Sequence, residues 1–222
     1  MRVFEAKGSP AVCAAMRKIT WIILAAIAIG AGSAAGLLTA QIAKAHRSIS
    51  SQVTVGSDRH DFSLTDTSGQ KVSLATYAGK WLLLYFGFTN CPEACPLALS
   101  NIGAALKEMG PVANTLQPIF VTIDPERDTP ALLKEYLANF GGNIVGLSGS
   151  AAETDAVAKA YGVYFAKRPT EHGDYTMDHS TGLYLIAPDG KLLRLFDAAL
   201  EPEKLAQSLS VAMVGEKQAA AP

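Results

Sequence analysis

The sequence has few cysteines, no excess of charge of either sign and no internal repeat. Three cysteines in 222 residues are far fewer than a small disulfide-stabilised scaffold requires. The 19 basic and 20 acidic residues give a net charge of −1, and the lysines and arginines are scattered along the chain. Because nucleic-acid binding needs a basic face, the sequence predicts no nucleic-acid partner. The acidic residues form no run either, so charge alone does not identify a partner.

A long uncharged segment near the N-terminus is the main departure from the composition of a soluble domain. Residues 19–40 contain no charged side chain and directly follow Arg17 and Lys18. A helix needs about 20 apolar residues to cross a bilayer, so the segment predicts a transmembrane anchor. The preceding basic residues predict a cytoplasmic N-terminus and an exported C-terminal part. The expected location is a bacterial inner membrane, crossed once, with the soluble domain facing the periplasm.

A cleaved signal peptide is the alternative interpretation of the same segment. Ala43-Lys44-Ala45 resembles a small-x-small cleavage site. The apolar core of a signal peptide usually spans about 7–15 residues, however, and this segment is longer. Both interpretations place the domain outside the cytoplasm. The predicted organisation is a cytoplasmic tail at 1–18, an anchor at 19–40, a tether at 41–54, a domain at 55–215 and a disordered tail at 216–222.

The exported part alternates between predicted strands and helices. Residues 81–88 (WLLLYFGF) are continuously apolar, as expected for a central strand covered on both faces, and 119–123 is a second buried strand. The helix between them has apolar residues at helical spacing, and Thr129-Pro130 begins another helix. The other predicted elements are a hairpin at 62–74, a strand at 144–147, a helix at 151–161, a hairpin at 183–196 and a helix from Pro202. This order predicts an α/β fold with a central mixed β-sheet flanked by helices.

Cys91 and Cys95 lie four positions apart, between the first central strand and the helix that follows it. This placement is typical of a thioredoxin-like fold. With Cys91 at the helix start, Cys95 is expected one turn later on the same face, and Pro92 suits the first helical position. The positive end of the helix dipole lowers thiol pKa values.

Two adjacent thiolates are soft ligands that suit Cu(I). Dithiol oxidoreductases of the thioredoxin-like fold usually have two residues between their cysteines, whereas three lie between Cys91 and Cys95. The longer spacing disfavours a plain oxidoreductase but does not forbid a disulfide. A pair of buried, inert thiols is the remaining alternative.

Three sequence blocks resemble the Sco/SenC family of copper-binding thioredoxin-like proteins. The blocks are YFGFTNCPEACP at 85–96, VTIDPERDTP at 121–130 and DHSTGLYLIAPDG at 178–190. They occur in the order expected for the family, and the resemblance extends over about 55–210. Ala94 stands where the family often has a larger aliphatic residue, at a position that is not a ligand. The resemblance implies a copper site formed by Cys91, Cys95 and His179.

The resemblance also implies a role in maturation of the binuclear copper centre of cytochrome c oxidase. The expected cofactor is copper, as Cu(I), Cu(II) or both. The expected partners are a copper-receiving oxidase subunit and an upstream copper donor or thiol reductant. One activity that fits is that of a copper metallochaperone. The other is a thiol–disulfide oxidoreductase that reduces the copper-ligand cysteines of the oxidase subunit, with Cys91 attacking and Cys95 resolving. A sensor acting through a membrane partner is a third interpretation, but the sequence shows no output element.

His179 precedes a predicted strand that is expected to lie beside the cysteine helix. No proline occurs between Thr170 and Ala187, where thioredoxin-like oxidoreductases commonly have one. An imidazole at this place would complete a three-coordinate Cu(I) site and could also serve Cu(II). Zinc would need a fourth ligand, and none is obvious. Asp178 either accepts a hydrogen bond from the ring or is a solvated loop carboxylate.

The remaining candidates are weaker. His172 belongs to a polar segment at 167–175, which predicts a mobile loop near the site, and Met177 is expected to pack rather than bind metal. Three carboxylates follow the second central strand: Asp124, Glu126 and Asp128. They are interpreted either as the start of the next helix, whose dipole they favour, or as a docking edge or charge that tunes the copper site.

Overall fold

The computed structural model describes residues 61–141, 143–171 and 173–219, with only the backbone described for 217–219. The predicted tail, anchor and tether at 1–54 therefore lie outside the described residues, as does His172. Within the described ranges, no helix is both long enough and apolar enough to cross a membrane.

Nine strands and four α-helices are present in the described part of the chain. The strands are β1 (Ser63–Asp66), β2 (Lys71–Ser73), β3 (Trp81–Gly87), β4 (Leu116–Thr122), β5 (Val145–Ser148), β6 (Phe165–Pro169), β7 (Tyr175–His179), β8 (Gly182–Ile186) and β9 (Leu192–Asp197). The helices are α1 (Ala94–Met109), α2 (Pro130–Leu137), α3 (Ala151–Ala160) and α4 (Pro202–Ala219), with short 3-10 helices at Leu74–Tyr77 and Gly110–Thr115. Seven strands form one mixed sheet in the order β2-β1-β5-β4-β3-β8-β9, and β6 pairs with β7 in a separate hairpin.

Local sequence signals explain where these elements begin. Strand β3 is buried along its whole length, as its continuous apolar sequence predicts for a central strand. Thr129 caps α2 by accepting a hydrogen bond from the backbone N–H of Leu132, and Pro130 occupies the first helical position. Ser150 and Glu153 form a capping box at the start of α3. The predicted hairpins, central strands and helices are confirmed in these regions.

Packed side chains cover the large sheet on both faces. On the α1 side, the ring of Tyr85 lies 6.0 Å from that of Phe120, which in turn contacts Tyr136 of α2. Because side chains alternate along a strand, Phe86 points to the opposite face. There it contacts Tyr161, which follows α3. The predicted mixed sheet with flanking helices is confirmed.

Two regions of the C-terminal half differ from the prediction. The polar sequence at 167–175 predicts a mobile loop, but this segment contains the end of β6 and the start of β7. That expectation is wrong for Lys167–Pro169 and for Tyr175, because these residues belong to the cross-strand pairing that runs from Phe165–His179 to Pro169–Tyr175. A mobile connection between the two strands stays a prediction. Helix α4 continues to Ala219, beyond the predicted end of the domain at residue 215. The other domain boundaries stay predictions.

Candidate metal centre

The site lies at the edge of the large sheet where β3 and β4 end. These two strands are parallel, so their carboxyl ends meet at one edge. Strand β8 runs antiparallel to β3, with Leu183 opposite Tyr85, and therefore begins at the same edge. The residues that follow β3 and those that precede β8 are thereby brought together. Cys91 and Cys95 belong to the first group, and His179 belongs to the second.

The two cysteines occupy different positions at the start of α1. The helix begins at Ala94 with Glu93 as its N-cap, so Cys95 lies in the first turn and Cys91 in the preceding loop. The expectation that Cys91 begins the helix, with Pro92 as its first residue, is wrong. The chain first closes a turn after β3, in which the Cys91 N–H donates a hydrogen bond to a backbone carbonyl.

Three donor atoms converge at this edge. The sulfurs of Cys91 and Cys95 and a ring nitrogen of His179 all lie within 4.8 Å of one another. The Cys95 sulfur is 3.8 Å from Nε2 of His179, and the Cys95 backbone N–H donates a 3.3 Å hydrogen bond to the sulfur of Cys91. Donor atoms that share one metal ion at about 2.0–2.3 Å lie no more than about 4.6 Å apart. The observed separations therefore need only a small adjustment to hold an ion.

The His179 ring is oriented by a backbone contact. Its Nδ1 lies 2.8 Å from the carbonyl oxygen of Ser180, so with the proton on Nδ1, Nε2 presents its lone pair to the cysteines. The ring also packs edge-on against Phe88, at 5.9 Å between centroids. The Asp178 carboxylate pairs with Arg168 at 2.6 Å instead. The interpretation of Asp178 as the acceptor that orients the ring is therefore wrong, because a backbone carbonyl occupies that role.

The two thiols differ in proton affinity. Hydrogen bonding from the Cys95 thiol lowers the pKa of Cys91 to about 4, against the opposing effect of burial and with further help from His179 and backbone N–H groups. The same thiol–thiol hydrogen bond, reinforced by burial, raises the pKa of Cys95. One thiolate, on Cys91, and one thiol, on Cys95, therefore share the site near neutral pH. A soft metal that displaces the remaining proton would gain two thiolate ligands.

Gly87 is a functional position that the sequence reasoning missed. A Cβ at this residue would lie 2.9 Å from the sulfur of Cys95 and 2.9 Å from the Phe120 ring. Only a residue without a side chain leaves room for the thiol under the end of β3. The available signal was a glycine within an otherwise bulky apolar strand.

The acidic loop between β4 and α2 is mostly internal. Asp124 and Asp128 are each only 1% exposed. Asp128 accepts hydrogen bonds from the backbone N–H and hydroxyl of Thr89 and from the hydroxyl of Thr122, at 3.0, 2.5 and 2.6 Å. Burial raises the pKa of Asp128, and these hydrogen bonds partly offset that effect. Asp128 thus holds the loop that contains Cys91.

A docking edge made of all three carboxylates is therefore excluded, because two of them are buried. Only Glu126 is exposed, and it pairs with Lys167 at 2.6 Å. Met177 is 6% exposed and packs in the core, as the sequence predicts.

An open groove gives access to the three donor atoms. Its walls come from the end of β3, the start of α1 and strand β7, and its lining includes Phe88, Cys91, Leu97, Met177 and His179. Cys91 retains 9% exposure and Cys95 has none. A ligand that enters through the groove therefore meets Cys91 and His179 before it meets Cys95.

The fold and the donor set together define a class of protein. A mixed sheet carries two cysteines at the start of its first crossover helix, and a histidine before an antiparallel strand completes a group suited to a soft metal. This is a thioredoxin-like protein. It has a candidate metal site where dithiol oxidoreductases of this fold have two cysteines separated by two residues. The SCO1/SenC family model matches residues 52–213, and the chain belongs to that family.

Individual relatives agree with the family assignment. The human mitochondrial SCO1 homologue is 40% identical over 155 residues, which make up 68% of this chain and 52% of the human protein. The chain thus spans about half the length of that relative. The copper-bound structure of ScoI from Bradyrhizobium japonicum is 43% identical, with a TM-score of 0.64 over 68% of this chain and 97% of that one. BsSco, described with a disulfide switch and as a member of the Sco family of cytochrome c oxidase assembly proteins, is 26% identical, with a TM-score of 0.57 over 72% of this chain and 95% of its own.

Proposed function

We propose that this chain is a copper metallochaperone that binds copper through Cys91, Cys95 and His179. The observation that carries the proposal is the convergence of these three donor atoms within 4.8 Å at the floor of an open groove. Two sulfurs suit Cu(I), and the imidazole nitrogen extends the set to Cu(II). The copper-bound ScoI relative supports the choice of metal.

Copper is the cargo of a metallochaperone, and the groove gives it a route out. Cys91 and His179 face the groove, so ligands of a partner can replace them one at a time while Cys95 still holds the ion. The partner proposed is the oxidase subunit that receives copper for its binuclear centre. A close thiol pair that opens on a groove in an oxidising compartment tends to form a disulfide, so an upstream thiol reductant is also required. The copper itself would come from an upstream donor.

The proposal is tested by Cu(I) titration of the reduced full-length chain against a competing chelator. Replacing Cys91 or Cys95 with Ser is expected to abolish tight binding, because each change removes a thiolate. The His179→Ala change is expected to weaken binding by about 10-fold or more, in line with the loss of one ligand. A Cys13→Ser chain is the matched control and is expected to bind as the original does. Unchanged affinity in the His179→Ala chain would remove His179 from the site.

A second candidate function is reduction of a disulfide in the oxidase subunit. The observation that favours it is the asymmetry of the two thiols: the pKa of Cys91 is lowered to about 4, while burial and the shared hydrogen bond raise that of Cys95. The Cys91 thiolate would attack one sulfur of the client disulfide and release the other as a thiolate. Cys95 would then lose its proton and attack Cys91, which frees the second client thiolate. Two electrons pass to the client, and the chain is left with a Cys91–Cys95 disulfide that an external thiol reductant must reduce to regenerate the two thiols.

Genetic complementation separates the two functions. A strain that lacks this protein and is deficient in oxidase would receive Cys91, Cys95 or His179 variants, with and without added copper. The metallochaperone proposal expects all three variants to fail. If only the cysteine variants fail, the reductase is the better description, because thiol–disulfide exchange does not need an imidazole.

We also propose that the domain acts outside the cytoplasm and stays attached to the membrane through residues 19–40. The basis is the length of the uncharged segment and the basic residues before it.

A further inference from the structure

His179 is carried by a hairpin that is not part of the main sheet. Strands β6 and β7 pair with each other, and in the described ranges neither pairs with a strand of the seven-stranded sheet. Most of β6 is exposed to solvent. The ligand end of β7 is held by the short connection from His179 to β8 and by the contact of its ring with Phe88. The other end of the strand, at Tyr175, depends on contacts with neighbouring segments.

A network of hydrogen bonds joins β7 to the loop between β4 and α2. Arg127 Nε donates to the carboxylate of Asp124 at 2.5 Å, and its Nη1 donates to the backbone carbonyl of Tyr175 at 2.8 Å. The guanidinium carbon lies 3.7 Å from the centre of the Tyr175 ring, a stacking geometry that arginine favours. The Tyr175 hydroxyl completes the network by donating to Asp124 at 2.8 Å. We call Asp124, Arg127 and Tyr175 the hairpin clamp.

Burial distinguishes the clamp from the other ion pairs of the hairpin. The Asp124 side chain is 1% exposed and that of Arg127 is 23% exposed, whereas Arg168 and Asp178 are 58% and 50% exposed. An exposed pair contributes little, about 0–1 kcal/mol. Losing one partner of a buried, hydrogen-bonded charge pair costs more, because the other charge is left without compensation.

Strand geometry connects the clamp to the ligand. Side chains at every second position of a strand share a face, so Tyr175, Met177 and His179 lie on one side of β7. Met177 packs in the core between the two ends. With a rise of about 3.4 Å per residue, the clamped end lies about 14 Å from the ligand end. Fixing Tyr175 therefore fixes the direction in which β7 presents His179.

We propose that Arg127 and Tyr175 are positioning residues that hold His179 at the metal site through strand β7. The proposal rests on the proposed function, because it takes His179 to be the third copper ligand. The clamp touches neither sulfur, and it acts by excluding positions of the hairpin in which the imidazole is too far from the cysteines.

The first test compares Cu(I) affinities of full-length chains by chelator competition. Arg127→Gln is expected to weaken binding about 10-fold to 100-fold, the usual effect of losing a group that orients a metal ligand. Arg168→Gln is the matched control, since it also removes an arginine, in this case from the exposed ion pair with Asp178 within the hairpin. Its Cu(I) affinity is expected to stay within about twofold of the original. Arg127→Lys keeps the charge but not the forked geometry, so its Cu(I) affinity is expected to lie between those of Arg127→Gln and the control.

The decisive comparison repeats Arg127→Gln in a His179→Ala chain. If the clamp acts through His179, the second change has no further effect on affinity. An equal loss in both backgrounds would overturn the proposal, because it would show that Arg127 acts on the cysteines or on the whole fold. An unchanged affinity of Arg127→Gln in the original background would overturn it as well.

Amide hydrogen exchange of the metal-free chain gives a readout that does not depend on copper. Arg127→Gln is expected to speed exchange in β6 and β7 while leaving β3 and β8 protected. Exchange that becomes faster in all strands alike, or exchange rates that do not change at all, would count against the clamp. If His179→Ala binds copper as well as the original chain, the three-ligand site of the proposed function fails, and the exchange experiment still decides whether the clamp holds the hairpin.

Discussion

At the scale of single residues, the two cysteines of the site have separate roles. Cys91 lies in a loop that lines the groove, and its sulfur accepts a 3.3 Å hydrogen bond from the backbone N–H of Cys95. Cys95 lies inside the helix with no exposed surface. The first thiol is therefore the reactive one, and the second is shielded from solvent beneath it.

The ionisation of Cys91 can be measured by its rate of alkylation. Because its pKa is lowered to about 4, the thiol of Cys91 is almost completely ionised above about pH 6. The rate of reaction with iodoacetamide in the reduced, metal-free Cys13→Ser chain is expected to be flat from about pH 6 to about pH 8. It should fall only as the pH approaches about 4.

A chain with both Cys13→Ser and Cys91→Ser is the control, since its remaining thiol, Cys95, is buried and is expected to react slowly. A rate that climbs about tenfold per pH unit up to about pH 8, as an unperturbed thiol shows, would contradict a stabilised thiolate.

At the scale of elements, the contact between strand β3 and helix α1 places the buried thiol. The strand ends in Gly87, and the missing side chain at that position is the space that Cys95 and Phe120 occupy. The helix can therefore start close to the sheet. A larger residue would push the first turn of α1 away from the strand.

Gly87→Ala is expected to weaken both the fold and the site. The added methyl group would meet the Cys95 sulfur and the Phe120 ring at 2.9 Å, and overpacking of this kind typically costs about 1–3 kcal/mol. Urea unfolding measures the stability, and chelator competition measures the Cu(I) affinity, which should fall with it.

Gly215→Ala in α4 is the matched control, because a Cβ there meets nothing within 4 Å. It is expected to be neutral or to stabilise the helix by about 0.5–1 kcal/mol. Equal stability and affinity of the Gly87→Ala and original chains would contradict the close contact between β3 and α1.

At the scale of the whole molecule, the proposed function needs the domain in an exported compartment. A reporter enzyme that is active only after export, fused to the C-terminus, is expected to be active and to sediment with membranes at full length. This outcome follows from an uncleaved anchor at 19–40 preceded by basic residues.

Two other outcomes are informative. An active but shortened fusion in the soluble fraction would show that the segment is a cleaved signal peptide. An inactive, full-length fusion would contradict export. A chain in which Arg17 and Lys18 are both replaced by Glu is the control, and it is expected to lose its uniform orientation.

Local sequence was sufficient for much of the fold and for the cysteine pair. Burial of β3 follows from eight consecutive apolar residues, and the start of α2 follows from Thr129-Pro130, because strand periodicity and helix capping depend on neighbours in the chain. The mixed sheet was predictable for the same reason. The three blocks that resemble the family added His179 to the candidates.

Tertiary structure alone decided how these residues act. The β6–β7 hairpin escaped prediction because most of β6 is exposed and Met177 is the single buried residue of the two strands. Five-residue strands with so little apolar surface do not show the buried run of a core strand. The partners of Asp124 and Asp128 lie on segments that sequence spacing does not relate to them. The Cys95 sulfur and Nε2 of His179 likewise come within 3.8 Å although 84 positions separate them in the chain. Such contacts form only when the sheet edge brings those parts together, and the sequence holds no local record of them.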